Sequence, residues 1–271
     1  MTNEKNERLP LPHADKSLGQ HFLRDQNVIK NICDDFKDKA EAILEIGPGP
    51  GILTEHLAHH PFPFHVIEMD KRFPPYLEQF LKPEQIHITD ALRVNLDNFN
   101  QEKFGNKKVW LVSNLPYNVA SPLLINFLQA PSIKFMTLMF QKEVADKVFA
   151  FATSKNVMNS LMVLSQTYFE CDLLCKVPPG AFNPPPKVDS AVLSMKRIEL
   201  PVIPLQDFHS LEKFLRLIYS QKRKQLGGIL RSQYSIEKIT NVFTELNIEL
   251  SVRAEALSLQ QVQNLYRKFK S

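Results

Sequence analysis

The chain has 271 residues, 44% of them hydrophobic and 23% charged, proportions of a soluble globular protein with a substantial core. It holds no apolar run near the roughly 18 residues a membrane helix needs, and its polar opening "MTNEKNERLPLPHADKSLGQ" lacks the apolar stretch of a secretory signal. Three cysteines, Cys33, Cys171 and Cys175, are too few for a disulfide scaffold, so a reducing, cytoplasmic compartment is expected.

In chain order, strand-like and helix-like segments alternate. "AEAILEIGPGPG" reads as an apolar strand running into a glycine-rich turn, and "ILTEHLAHH" as the helix after it. "FHVIEMD" is a second strand ending in acids, followed by "KRFPPYLEQFL", expected to be helical past its two prolines. "QIHITDAL" and "KVWLVSNLPY" are the third and fourth strands, and "SIKFMTLMFQKEVADKVF" is a fifth running into a helix. This rhythm predicts a mostly parallel sheet with helices on both faces. "LMVLSQTYFECDLLCKV" and the strand after "KVPPGAFNPPP" read as an antiparallel hairpin closing the sheet edge. Cys171-x-x-x-Cys175 lies in the first of these with no Cys or His group nearby to complete four ligands, so no metal is expected.

A break follows at Pro201 and Pro204. Beyond it "LEKFLRLIYSQKRKQLGGIL", "YSIEKITNVFTELN" and "SLQQVQNLYRKFK" have helical apolar spacing. Two domains are therefore expected, residues 1–200 and a small all-helical unit over 201–271. The second holds 11 basic and 6 acidic residues of a chain whose net charge is only +4, so the excess positive charge sits in this last quarter. A basic appendage on a near-neutral body points to a polyanionic partner, most often nucleic acid.

Ligands on such sheets bind beyond the carboxyl ends of the strands. There the turn in "LEIGPGPG" departs from the dinucleotide fingerprint: after Gly47 and Gly49 the third glycine falls at Gly51, one residue early. Pro48 and Pro50 also remove two N–H donors that a pyrophosphate would use. A loop that allows close approach but is poor in donors suits a cofactor without phosphates, such as S-adenosylmethionine. Glu68 ends the second strand, placed to accept from two ribose hydroxyls, and Asp90 ends the third, placed to accept from an adenine amino group. The alternative for each acid is a helix cap, and for the loop a structural turn.

"LVSNLPYNVASPLL" ends the fourth strand with an amide, a proline and an aromatic ring together. Methyl transfer to an exocyclic amine must localise a nitrogen lone pair that is delocalised into a ring. Two acceptors aimed at its N–H groups would do so. The Asn114 side-chain oxygen and the Leu115 carbonyl can supply them, Pro116 stiffens the turn, and Tyr117 offers a face for a base.

The motifs from "KSLGQHFLRDQNVI" through "LEIGPGPGILTE", "VIEMD", "ITDAL", "VSNLPYNVASPLL" and "MFQKEVADKV" to "VPPGAFNPPPKVDSAV" resemble, in order, those of the small-subunit (16S) ribosomal RNA adenine N6-dimethyltransferases of the KsgA/RsmA type. The resemblance implies a Rossmann-like S-adenosylmethionine-dependent methyltransferase that dimethylates two adjacent adenosines near the 3′ end of 16S rRNA in the small subunit. It implies cofactor contacts at His21, Leu23, Gly47, Gly49, Glu68, Asp90 and Asn114, and a base held between Tyr117 and Phe182. The metal-free chemistry and a monomeric state are expected with it. Pro50 and Ser113 stand where the family has leucine and a smaller residue, and Gly227-Gly228 interrupts a helix. Lys222, Arg223, Lys224 and Arg231, read as one basic helix, are the candidate RNA contacts. The remaining readings are a methyltransferase of the erythromycin-resistance type acting on large-subunit RNA, a DNA adenine methyltransferase, and a ribosome-assembly factor with methylation secondary.

Overall fold

A computed structural model describes residues 9, 10, 12, 20–149 and 157–270. Its elements begin with β1 (Phe22–Leu23), α1 (Gln26–Asp34), β2 (Ala42–Ile46), α2 (Thr54–Leu57), β3 (Phe64–Glu68) and α3 (Pro74–Leu77). They continue with β4 (Ile86–Ile88), α4 (Leu96–Phe104), β5 (Val109–Asn114), α5 (Ala120–Gln129), β6 (Ile133–Gln141) and α6 (Lys142–Val148). Then come α7 (Ser160–Tyr168), β7 (Phe169–Val177), β8 (Phe182–Asn183) and β9 (Ser190–Arg197). The tail holds α8 (Phe208–Ile218), α9 (Leu226–Leu230), α10 (Ile236–Glu245) and α11 (Leu259–Lys270).

Seven strands form one sheet in the order β4-β3-β2-β5-β6-β9-β7. The first five are parallel, and β9 and β7 are the antiparallel hairpin expected at the edge. The central strands are apolar on both faces because both are covered. Ala42, Leu44, Val109 and Leu111 face the cluster shared with α4, α5 and α7, while Ile43, Trp110 and Val112 face α1, α2 and α3. Trp110 Nε1 donates to Thr137 Oγ1 (2.9 Å), which donates to Asp35 Oδ2 (2.7 Å), tying the end of α1 to the sheet. Arg197, buried on β9, donates to the carbonyls of Leu128, Ala130 and Ile133 and lies over the Phe169 ring. It thereby anchors the end of the helix that leads away from Asn114-Leu115-Pro116-Tyr117.

Three helical expectations change. α3 begins at Pro74 and Pro75 rather than after them, since a first helical turn needs no N–H donor there. α2 is a single turn. The long helix expected over 211–230 is two, because α8 closes at Tyr219 and residues 221–225 form a turn whose exit is fixed by Leu226 N–H donating to Val252 O (2.8 Å). Of the helices beyond residue 200, α8 and α11 pack on α7. Leu211, Leu215 and Val262 belong to the same apolar cluster as Leu44 and Leu111, and Gln263 Nε2 donates to Thr167 Oγ1 across this contact (3.0 Å).

Candidate active site

The carboxyl ends of β2, β3, β4 and β5 and the short strand β1 line a cavity of about 210 Å³. Its lining includes His21, Gly47, Glu68, Asp90, Asn114 and Tyr117. Sequence reasoning therefore converges on one place for all but one of the residues it assigned to cofactor and base. Leu23 and Gly49 also lie on this wall.

The glycine turn follows from local sterics. Gly47, Gly49 and Gly51 have φ of 68°, 57° and 88°, a region L side chains avoid. A Cβ on Gly51 would lie 3.0 Å from the Phe80 ring, whereas one on Gly47 would meet no protein atom and project into free space. That gap beside Gly47 is the close-approach cradle a donor-poor cofactor site requires. Pro50 is compatible with the turn, which closes through Gly51 N–H donating to Pro48 O (3.1 Å).

Glu68, 6% exposed, is held from both sides. Gly49 N–H donates to its Oε2 (2.9 Å) and Asp70 N–H to its Oε1 (2.8 Å). Burial raises its pKa, and the two backbone donors oppose that rise. Asp90 caps the turn Ala91–Arg93, accepting from Leu92 N–H (3.0 Å), with Arg93 Nε 3.6 Å from its other oxygen. It is at once a cap and a wall of the cavity.

Three contributors were not foreseen. Glu45 is 1% exposed beneath the glycine turn and accepts from Thr54 Oγ1 (2.7 Å). Burial, with Glu68 nearby, pushes its carboxyl up to about 8. The available signal was an acid inside an apolar strand. Asp70 accepts from Gln20 Nε2 (3.0 Å) and Arg72 Nε (2.9 Å), and the Arg72 bond holds its carboxyl down at about 2. This pairing fastens the segment before β1 to the end of β3, 50 residues away, and no local pattern announces it. Ser113, the departure before Asn114, donates to Ile46 O (2.6 Å) and locks the ends of β5 and β2 together.

At the end of β5, Asn114 Nδ2 donates to His21 O (3.2 Å). Leu115 N–H donates to Met139 O (3.2 Å) and Val119 N–H to Pro116 O (3.2 Å), fixing the turn. The Tyr117 hydroxyl lies 3.2 Å from Ser190 Oγ on β9, and burial raises the phenol pKa. Ser190 is a further residue that sequence reasoning missed.

Phe182 does not stand where it was expected. It is 1% exposed, pairs with Leu23 in the β1–β8 ribbon, and does not line the cavity. The ring stacked on Tyr117 is that of His21 (centroids 5.3 Å apart, planes at 28°), and Phe182 meets the same imidazole edge-on at 6.5 Å. An aromatic on a strand that must bury its side chain against the sheet is drawn into the core.

The basic residues are not on one helix. Lys222, Arg223 and Lys224 occupy the exposed turn between α8 and α9, and Arg231 caps the end of α9. The interruption expected at Gly227-Gly228 falls earlier, at this turn, and both glycines lie within the five-residue α9, where Gly227 is buried. Among the described residues no three His, Cys, Asp or Glu side chains converge as a metal site, and no helix is long and apolar enough to cross a membrane.

A parallel sheet with an open glycine cradle and a fixed carboxylate at successive strand ends, beside an Asn-Leu-Pro-Tyr turn, defines a Rossmann-like S-adenosylmethionine-dependent methyltransferase. The comparisons narrow the class. The profile of the family "Ribosomal RNA adenine dimethylase" matches residues 12–271, and the chain belongs to that family. It is 35% identical over 248 residues (90% of this chain, 86% of the relative) to ribosomal RNA small subunit methyltransferase A of Alcanivorax borkumensis. Its counterpart in Bdellovibrio bacteriovorus is 36% identical over 263 residues, covering 94% and 92%. Among solved structures, a dimethyladenosine transferase from Plasmodium falciparum aligns with a TM-score of 0.74 at 23% identity, covering 92% of this chain and 98% of that one. The 23S rRNA methyltransferase ErmE aligns at 0.69, also at 23%, covering 92% and 100%. These two share the fold.

Proposed function

We propose that this enzyme transfers methyl groups from S-adenosylmethionine to N6 of two adjacent adenosines near the 3′ end of 16S rRNA in the small ribosomal subunit, giving N6,N6-dimethyladenosine. The observation that carries the reading is the Asn114 amide. Its Nδ2 is committed to the His21 carbonyl, which leaves Oδ1 as the acceptor for an amine N–H beside the cavity. With the Leu115 carbonyl it draws the N6 hydrogens out of the base plane and localises the lone pair, and it stabilises the charge that grows on nitrogen.

When bound, S-adenosylmethionine supplies a methyl carbon activated by its sulfonium. Glu68 would take the ribose hydroxyls, Asp90 the adenine amino group, and His21, Leu23, Gly47 and Gly49 the remainder. As the N–C bond forms the C–S bond breaks, and the proton on the methylated amine passes to solvent. No acidic residue lies within Asn114–Tyr117, and none is needed. Tyr117, its hydroxyl against Ser190, presents its face to the base. Residues 201–271, as a basic RNA-binding domain, would hold the subunit through phosphate contacts of Lys222, Arg223, Lys224 and Arg231. The cavity and the Asn-Leu-Pro-Tyr turn come from one chain, which supports action as a monomer, and a ribosomal substrate supports a cytoplasmic location.

The test incubates the protein with labelled S-adenosylmethionine and either small or large subunits from a strain lacking the modification. Label in small-subunit RNA alone is expected, and label confined to large-subunit RNA would contradict the assignment.

A further inference from the structure

We infer that the His21 imidazole occupies the target-base slot of the free protein and is displaced when adenine arrives. This rests on the proposal that the base stacks on Tyr117. In the free protein that face is taken: the His21 ring lies on it at 5.3 Å and 28°, with the edge of Phe182 at 6.5 Å. A planar nitrogen heterocycle of half an adenine's size thus covers the tyrosine face assigned to the base and meets Phe182 edge-on. Its Nδ1 donates to Pro184 O (2.8 Å), so the ring is seated rather than loose.

The main chain and side chain of His21 do separate jobs. Its carbonyl accepts from Asn114 Nδ2 and sets the amide for the amine, a contact that survives any side-chain change. Its ring covers the tyrosine face. Adenine, a larger ring system, replaces one stack with a stronger one, while a smaller planar solute has little advantage over the imidazole. His21 therefore weighs against non-specific occupancy, and access by substrate bears the cost of removing it.

An imidazole–phenol stack of this kind corresponds to roughly a two- to tenfold effect on binding. His21→Ala and His21→Asn should each lower KM for unmethylated small subunits by that factor. A rise in KM for both would show that the ring helps hold the base and would overturn the inference. Selective histidine labelling gives a second readout independent of turnover. The His21 ring protons, shifted by the Tyr117 ring current in the free protein, should move to exposed-histidine positions at saturation with an RNA hairpin carrying two unpaired adenosines. Unchanged shifts in the saturated complex would also overturn it. Absence of methyl transfer by the wild-type protein would instead sink the proposed reaction, and the resonance shift would still decide the place of His21.

Discussion

The carboxyl ends of the strands and the turn between α8 and α9 are built in opposite physical styles. At the carboxyl ends of β2, β3 and β5 polar groups are fixed by buried or half-buried partners. Gly49 and Asp70 hold Glu68, Thr54 holds Glu45, Ile46 holds Ser113, and His21 holds Asn114. In the tail, Lys222, Arg223 and Lys224 stand in water on a turn. Placement of an amine against a methyl carbon tolerates little error, so the groups that do it are immobilised. Attraction of a phosphate backbone acts over several ångströms through a screened field, so the proposed phosphate contacts of this turn need no such fixing.

That contrast makes quantitative predictions, and the largest concerns the immobilised edge. Asn114→Ala should lower the single-turnover methylation rate by about 10²- to 10³-fold with little change in subunit affinity. A rate equal to wild type would remove the amide from the mechanism. Glu68→Ala should weaken S-adenosylmethionine binding by roughly ten- to a hundredfold, measured calorimetrically, because a charged acceptor is lost together with the anchor of Gly49.

Lys222→Gln, Arg223→Gln and Lys224→Gln combined should weaken subunit binding on the order of tenfold and flatten the slope of log affinity against log salt by about 2. The rate at saturating subunit should hold. An unchanged slope would take this turn out of the interface.

The smallest effect is on stability. His65 Nδ1 and His87 Nε2 lie 3.0 Å apart on β3 and β4, and burial, with the neighbouring imidazole, lowers the His65 pKa to about 4. The unfolded chain then binds more protons below the ordinary histidine pKa of about 6.5. Stability is retained above that value and is lost as pH falls toward 4. Urea midpoints should drop across this window, and the drop should shrink in His65→Phe.

Much of the edge could be read from sequence because its signals are local. The strands are apolar runs, and Glu68, Asp90 and Asn114 each close one. What escaped depends on contacts far apart in the chain. Gln20 meets Asp70, and Tyr117 meets Ser190, 73 residues on. Phe182 was read by its motif, yet its side chain is set by the pairing of two-residue β8 with β1, which no periodicity reveals. In the tail the apolar spacing of 211–230 reads as continuous helix, and the break follows from the tie between Leu226 and Val252, a tertiary contact.

The central claim is the chemistry assigned to Asn114-Leu115-Pro116-Tyr117, and the direct measurement is the product itself. Small subunits lacking the modification would be treated with wild-type or Asn114→Ala protein, their 16S rRNA digested to nucleosides, and the digest weighed. N6,N6-dimethyladenosine formed by the wild type, and by the variant at about 10²- to 10³-fold lower rate, is the predicted result. Tight subunit binding without that nucleoside would contradict the account and favour a role in subunit assembly.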